Sequence, residues 1–81
     1  MRKVSIIGQG YVGLTVSIFA SKNYEVIGYD LNENLVKQLN SGHSHVEGLS
    51  SELLQKALAM GTYKASSEPR DIDGSEVVVI A

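Results

Sequence analysis

Short β-branched runs alternating with helix-patterned segments predict an α/β fold: a doubly wound parallel sheet of about four strands with three helices. Three observations carry that expectation. First, the run Val4-Ser5-Ile6-Ile7 empties into Gly8-Gln9-Gly10-Tyr11-Val12-Gly13, and an apolar, helix-compatible segment follows at once. Second, Tyr24 to Tyr29 reads as another strand and closes on Asp30. Third, Val77-Val78-Val79-Ile80 is strongly apolar and β-branched, as a strand of a covered sheet should be.

The elements follow in order from local pattern. Residues 2–7 form the first strand, and the near-continuous Val4, Ile6, Ile7 pattern suits a central position covered on both faces. Residues 11–22 form the first helix. Val12, Val16, Phe19 and Ala20 are spaced to face the sheet, and Leu14 and Ile18 widen that stripe. Lys22 suits the helix C-terminus and Asn23 a left-handed cap. Residues 24–29 form the second strand. From Asn32 to Asn40 a helix carries Leu35, Val36 and Leu39 on one face, and Ser41-Gly42 stops it. His43 to Ser50 is a loop. The third helix runs from Ser51 to Met60 with Leu53, Leu54, Ala57 and Leu58 as its inner stripe; Ser50 or Ser51 can cap it, and Gly61 suits its end. Residues 62–66 read as a third strand. Residues 67–75 are a polar connection holding the only proline, Pro69, and residues 76–81 begin the fourth strand. No repeat, low-complexity tract or linker interrupts this order.

A glycine triplet between a strand and a helix is the context of a dinucleotide-binding turn. Gly8 lets the chain turn sharply off the strand. Gly10 removes the side chain that would hold a pyrophosphate away from the backbone, and Gly13 lets the helix pack closely on the strand. The first-turn N–H groups and the positive end of the helix dipole then face the phosphates. Asp30 stands seventeen residues after Gly13, near the ~20-residue spacing of the carboxylate that bonds the adenosine ribose hydroxyls. Its charge repels a 2′-phosphate, and no Arg or Lys follows until Lys37, so NAD is favoured over NADP. The competing reading makes the glycines ordinary turn residues and Asp30 a cap for the next helix. The common register of strand, triplet, helix, strand and acid weighs against it.

Composition narrows the class further. Eighty-one residues make one small domain with a modest core, and 43% hydrophobic with 20% charged residues is a globular balance. A net charge of −2 offers no basic surface for nucleic acid or a membrane. The apolar run behind Met1-Arg2-Lys3 breaks at Gly8, too soon for a signal peptide, and no stretch approaches the ~18 apolar residues of a membrane span. Without cysteine there is no disulfide, thiolate nucleophile or Cys-based metal site. A cytoplasmic location is the default. Ala81 lies at the C-terminal end of a strand, where a doubly wound sheet places its ligand-facing loops, so the expectation is the N-terminal part of a larger NAD(P)-binding Rossmann domain, with a very small stand-alone module as the alternative.

At these residues the chain resembles a known family. Gly8-Gln9-Gly10-Tyr11-Val12-Gly13-Leu14 is similar to the Gly-x-Gly-Tyr-Val-Gly-Leu signature of the UDP-glucose/GDP-mannose dehydrogenases. Val26-Ile27-Gly28-Tyr29-Asp30-Leu31-Asn32 resembles their second strand and ribose acid. The likeness continues through Leu39-Asn40-Ser41-Gly42 to Thr62–Ser67, and Val77 to Ala81 resembles the strand that precedes a Val-Pro-Thr-Pro turn in the family. The loop His43-Ser44-His45-Val46-Glu47 looks more like members acting on UDP-N-acetylhexosamines, the UDP-N-acetylglucosamine and UDP-N-acetylmannosamine dehydrogenases, than like the glucose enzymes.

The resemblance implies an NAD-dependent, two-step oxidation of a nucleotide sugar's C6 alcohol to the uronic acid, through an enzyme-bound thiohemiacetal and thioester. It implies a homodimeric parent enzyme whose cysteine nucleophile, lysine and acid/base groups come from later in a much longer chain. No catalytic residue has a matching position here, and the substrate would be held by the missing domains. The cofactor half-site does carry over: Gly8, Gly10 and Gly13 shape the loop, the Tyr11 and Val12 backbone amides approach the pyrophosphate, and Asp30 holds the ribose. One departure is Leu35, where some members place an Arg or Lys near the adenosine, although Lys37 could partly compensate. A β-hydroxyacid or 6-phosphogluconate-type dehydrogenase shares the triplet but usually shows Gly-x-Met-Gly. A non-catalytic nucleotide-sensing module is the alternative from another class.

Other features have plainer readings. His43 and His45 beside Glu47 suggest metal ligands, but without a third well-placed ligand a solvated loop is the better reading. Glu47 is also a candidate substrate-loop residue. Tyr11 either covers the cofactor or packs at the helix start. Tyr24, Tyr29 and Tyr63 are strand or edge packing, and Ser66-Ser67-Glu68 is a polar turn. The edge at Val77–Ile80 would be unpaired and prone to association, leaving the piece marginally stable.

Overall fold

A computed structural model of the chain describes residues 1–46 and 48–81. In order, the chain forms β1 (Lys3–Ile7), α1 (Tyr11–Ala20), β2 (Glu25–Tyr29), α2 (Glu33–Asn40), α3 (Ser51–Met60), β3 (Tyr63–Ser66) and β4 (Val77–Ile80). The connection before β4 contains one 3-10 turn, Pro69–Ile72, opened by a proline whose fixed φ suits a first helical position. All strand pairs are parallel, in the order β3-β2-β1-β4. The fold is thus the expected Rossmann-like α/β sheet of four parallel strands with three helices.

Because side chains alternate along a strand, β1 sends Val4 and Ile6 to one face and Ser5 and Ile7 to the other. The first face is the main core. Val4, Ile6, Val26, Tyr63 and Ala65 pack there with Leu14 and Ile18 of α1, Val36 and Leu39 of α2, and Leu54 and Ala57 of α3. The segment between β3 and β4 crosses the opposite face, where Ser75 Oγ meets Ser5 Oγ at 2.6 Å and Asp71 bonds Ser66. At the outer edge of β3, the Asn40 side chain donates to Ala65 O at 2.8 Å and accepts from Ala65 N at 2.9 Å.

Three expectations about faces and ends are corrected. In α1 the buried residues are Gly13, Leu14, Ser17 and Ile18, whereas Val12 and Phe19 are 63% and 59% exposed and Val16 is exposed as well. The helix is apolar nearly all round, so periodicity cannot choose its face; the fit of Gly13 against Gly8 does. In α3, Leu54 and Ala57 are buried and Leu58 partly so, but Leu53 lies outside the core. α1 ends at Ala20, not near Lys22, and Asn23 does not take a left-handed conformation, since no described non-glycine residue has positive φ. Instead Asn23 N and Tyr24 N both donate to Ala20 O and carry the chain into β2. Ser50 caps α3 by accepting from Leu53 N, and Gly61 at φ +73° closes it.

Candidate cofactor site

The parallel register sets Ile7 opposite Tyr29, so the C-terminal tips of β1 and β2 lie side by side. Gly8 N donates to Tyr29 O at 2.7 Å, fastening the start of the glycine loop to β2. One residue on, Gln9 N donates to Asp30 Oδ2 at 2.8 Å. Asp30 Oδ1 accepts from Asn32 N at 2.9 Å. Both carboxylate oxygens are therefore oriented by backbone amides, and each retains lone-pair capacity for a further donor such as a ribose hydroxyl. Asp30 is not the cap of α2. That cap is Asn32, which accepts from Leu35 N.

The three glycines differ in what requires them. Gly8 has φ +95°, the left-handed region where side chains are strained. A Cβ on Gly13 would lie 1.7 Å from Gly8 O, so only a bare backbone fits. Gly10 has an ordinary φ of −71°, and a Cβ there would meet nothing within 4 Å. The protein's own packing does not demand glycine at this position, and the bare backbone there leaves room for a ligand to approach closely. Behind it, α1 starts with no side-chain cap and no acidic residue in its first turn. α2 and α3 each have both, Asn32 with Glu33 and Ser50 with Glu52. An anion at the start of α1 would meet a favourable dipole without a competing carboxylate. Tyr11 and Val12 flank this opening and are both exposed. The open space at Gly10, the acid-free helix start and the oriented Asp30 fit a dinucleotide carrying a pyrophosphate and a ribose.

The sequence did not disclose what lies beneath the loop. Gln9 is fully buried. Its Nε2 donates to Ile6 O (3.2 Å) and Gly8 O (3.0 Å), while Oε1 accepts from Tyr63 Oη (2.7 Å) and Ser17 Oγ (3.2 Å). Tyr63, expected to pack on a strand or its edge, lies in the core, and its hydroxyl has this partner as well. Burial first, and the nearby Asp30 charge second, push its pKa above the ordinary phenol range. The available signal was Gly28, since a glycine inside a strand marks a close approach.

The remaining candidates lie elsewhere. His43 and His45 are exposed, and among the described residues no group of three or more His, Asp or Glu is placed to hold a metal. Glu47 lies outside the described residues. Leu35 is partly buried and packs against the core.

The model of the UDP-glucose/GDP-mannose dehydrogenase family, NAD binding domain, matches residues 2–81. The chain belongs to this family. As a family NAD-binding domain it is 36% identical over 80 residues to UDP-N-acetyl-D-mannosamine dehydrogenase of Pyrococcus horikoshii, covering 96% of this chain and 19% of that protein. It is 38% identical over 80 residues to NDP-N-acetyl-D-galactosaminuronic acid dehydrogenase of Ralstonia nicotianae, with the same coverage. Among solved structures, GDP-mannose dehydrogenase of Pseudomonas aeruginosa superposes with a TM-score of 0.89 at 32% identity, covering 100% of this chain and 19% of that one. The chain thus spans about one-fifth of the length of these relatives. Among the described residues no helix is long and apolar enough to cross a membrane.

Proposed function

We propose that residues 1–81 are the NAD-holding N-terminal part of a nucleotide-sugar 6-dehydrogenase that oxidises the C6 alcohol of a UDP-sugar, a UDP-N-acetylhexosamine or UDP-glucose, to the uronic acid. The backbone at Gly8, Gly10, Tyr11, Val12 and Gly13 would receive the pyrophosphate, and Asp30 the adenosine ribose. NAD, when bound, supplies the hydride acceptor. The chain's own residues bind and orient it, while the groups that act on the sugar and the surfaces that form a homodimer would lie outside these residues. The parent enzyme would work in the cytoplasm, where NAD and nucleotide sugars are both at hand.

The observation that supports this reading is the 2.8 Å bond from Gln9 N to Asp30 Oδ2, which holds the glycine loop and the carboxylate side by side. Titration of the chain with NAD, followed by backbone amide NMR, tests it. NAD should shift the Gly8–Gly13 signals and NADP should bind more weakly. Asp30→Ala, losing charge-assisted hydrogen bonds, should weaken NAD binding roughly tenfold or more. Unchanged affinity in that variant, in a chain still folded by circular dichroism, would refute the assignment.

A further inference from the structure

The motif leaves the residue between its first two glycines unspecified, yet here that residue carries the densest hydrogen bonding under the loop. We propose that Gln9 and Tyr63 are a positioning pair that sets the cofactor loop from beneath, linking it to a strand that bears no motif residue. The inference rests on the reading of this loop as the pyrophosphate site.

The orientation of the Gln9 amide follows from its neighbours. Ile6 O and Gly8 O can only accept, so Nε2 must face them and Oε1 must face the two hydroxyls. Ser17 has a single hydroxyl proton and a closer acceptor in Gly13 O, at 2.8 Å against 3.2 Å for Gln9 Oε1. The Tyr63 hydroxyl, at 2.7 Å, is therefore the principal donor to Gln9. The result is a continuous bonded path from β3 through Gln9 to the carbonyl of Gly8. Room for it comes from Gly28, where a Cβ would sit 2.3 Å from Gln9 Oε1 and 2.7 Å from Tyr63 Oη. Through its backbone N–H, Gln9 also grips Asp30. A loop released from Tyr63 would have to be reordered by the ligand, and that cost appears as lost affinity. Neither side chain is placed to touch the cofactor, so both act through the loop.

The test compares adenosine, which reaches the Asp30 side only, with ADP, which adds the diphosphate that the loop would bind. Both are titrated into the 81-residue chain and followed by amide NMR. Tyr63→Phe should weaken ADP roughly fivefold to tenfold and leave adenosine within about twofold. The double variant Gln9→Leu/Tyr63→Phe removes the oxygen that Tyr63→Phe leaves without its donor but also the Gln9 bonds to two carbonyls, so its thermal stability should lie close to that of Tyr63→Phe. Its ADP affinity should stay low, because the bonds to Ile6 O and Gly8 O are gone. If Tyr63→Phe lowers the unfolding midpoint with ADP affinity intact, or ADP affinity returns in the double variant, the pair is structural only and the proposal fails. Asp30→Ala separates the two levels. If it leaves adenosine and ADP unaffected, the cofactor reading itself is wrong and the pair loses its role with it.

Discussion

Strand β1 has a neighbour on either side, and the chain treats the two flanks differently. Toward β2 almost every polar atom and cubic ångström is committed. Gly8, Gln9 and Asp30 are tied by backbone bonds, Gln9 is sealed under the loop, and neither Gly13 nor Gly28 has room for a methyl group. Toward β4 the surface is loose. Val77, Val78, Val79 and Ile80 are all exposed; Val16 of α1 lines a hollow with Val77 and Val79, and Val12 and Phe19 on the same helix are exposed as well. Hydrophobicity therefore does not distinguish the flanks; both are apolar. What distinguishes them is closure: on one flank Gly8, Gln9 and Asp30 are tied together over a buried side chain, and on the other the apolar surface is exposed.

The largest break of this contrast is Gly13→Ala. Its Cβ would overlap Gly8 O, a backbone atom at the turn, so the helix must move off the strand. We expect a loss of about 3 kcal/mol or more, a large part of the ~5–10 kcal/mol that holds a small domain together. Urea unfolding by circular dichroism measures it, and a loss below about 1 kcal/mol would mean that the β2 flank is not tightly set.

A smaller effect follows from Tyr63. Its pKa is raised in the folded state, mainly by burial, so folding favours the neutral phenol. That contribution is fully present below the unfolded value of about 10 and declines as pH rises beyond it toward the folded value. Stability should fall above about pH 10 with a Tyr63 component of up to ~1.4 kcal/mol per pH unit. Tyr63→Phe should flatten that slope. Equal slopes in the two proteins between pH 9 and 11 would show that the ring is not sealed.

The smallest effect belongs to the loose flank. Val78→Thr keeps the β-branched shape at a half-exposed position, so stability should change by no more than about 0.5 kcal/mol. Self-association at high concentration, measured by sedimentation, should fall. A loss comparable with that of Gly13→Ala would erase the distinction between the flanks.

The same contrast explains what could be read from the sequence. The succession of strands and helices, the spans of α2 and α3 and the meeting of Gly8–Gly13 with Asp30 followed from β-branched runs, helix patterning and motif spacing, all of them local. The face of α1 did not. Ten nearly uniformly apolar residues give no periodic preference, and the deciding contact joins Gly13 to a carbonyl five residues earlier. Val36 and Leu39 of α2, set among polar residues, were correctly placed for the opposite reason. Gln9 and Tyr63 are 54 residues apart, and their bond depends on Gly28 of a third segment. No window along the chain contains that relation.

The Asn40 amide, seated on both backbone groups of Ala65, imitates one rung of a missing neighbour. Any foreign strand arriving at that margin would have to evict an already satisfied partner, so lateral growth there is disfavoured. Among the described residues no side chain plugs the margin formed by Val77–Ile80 in this way. A strand added to this sheet would therefore meet less opposition beside the fourth strand than beside the third.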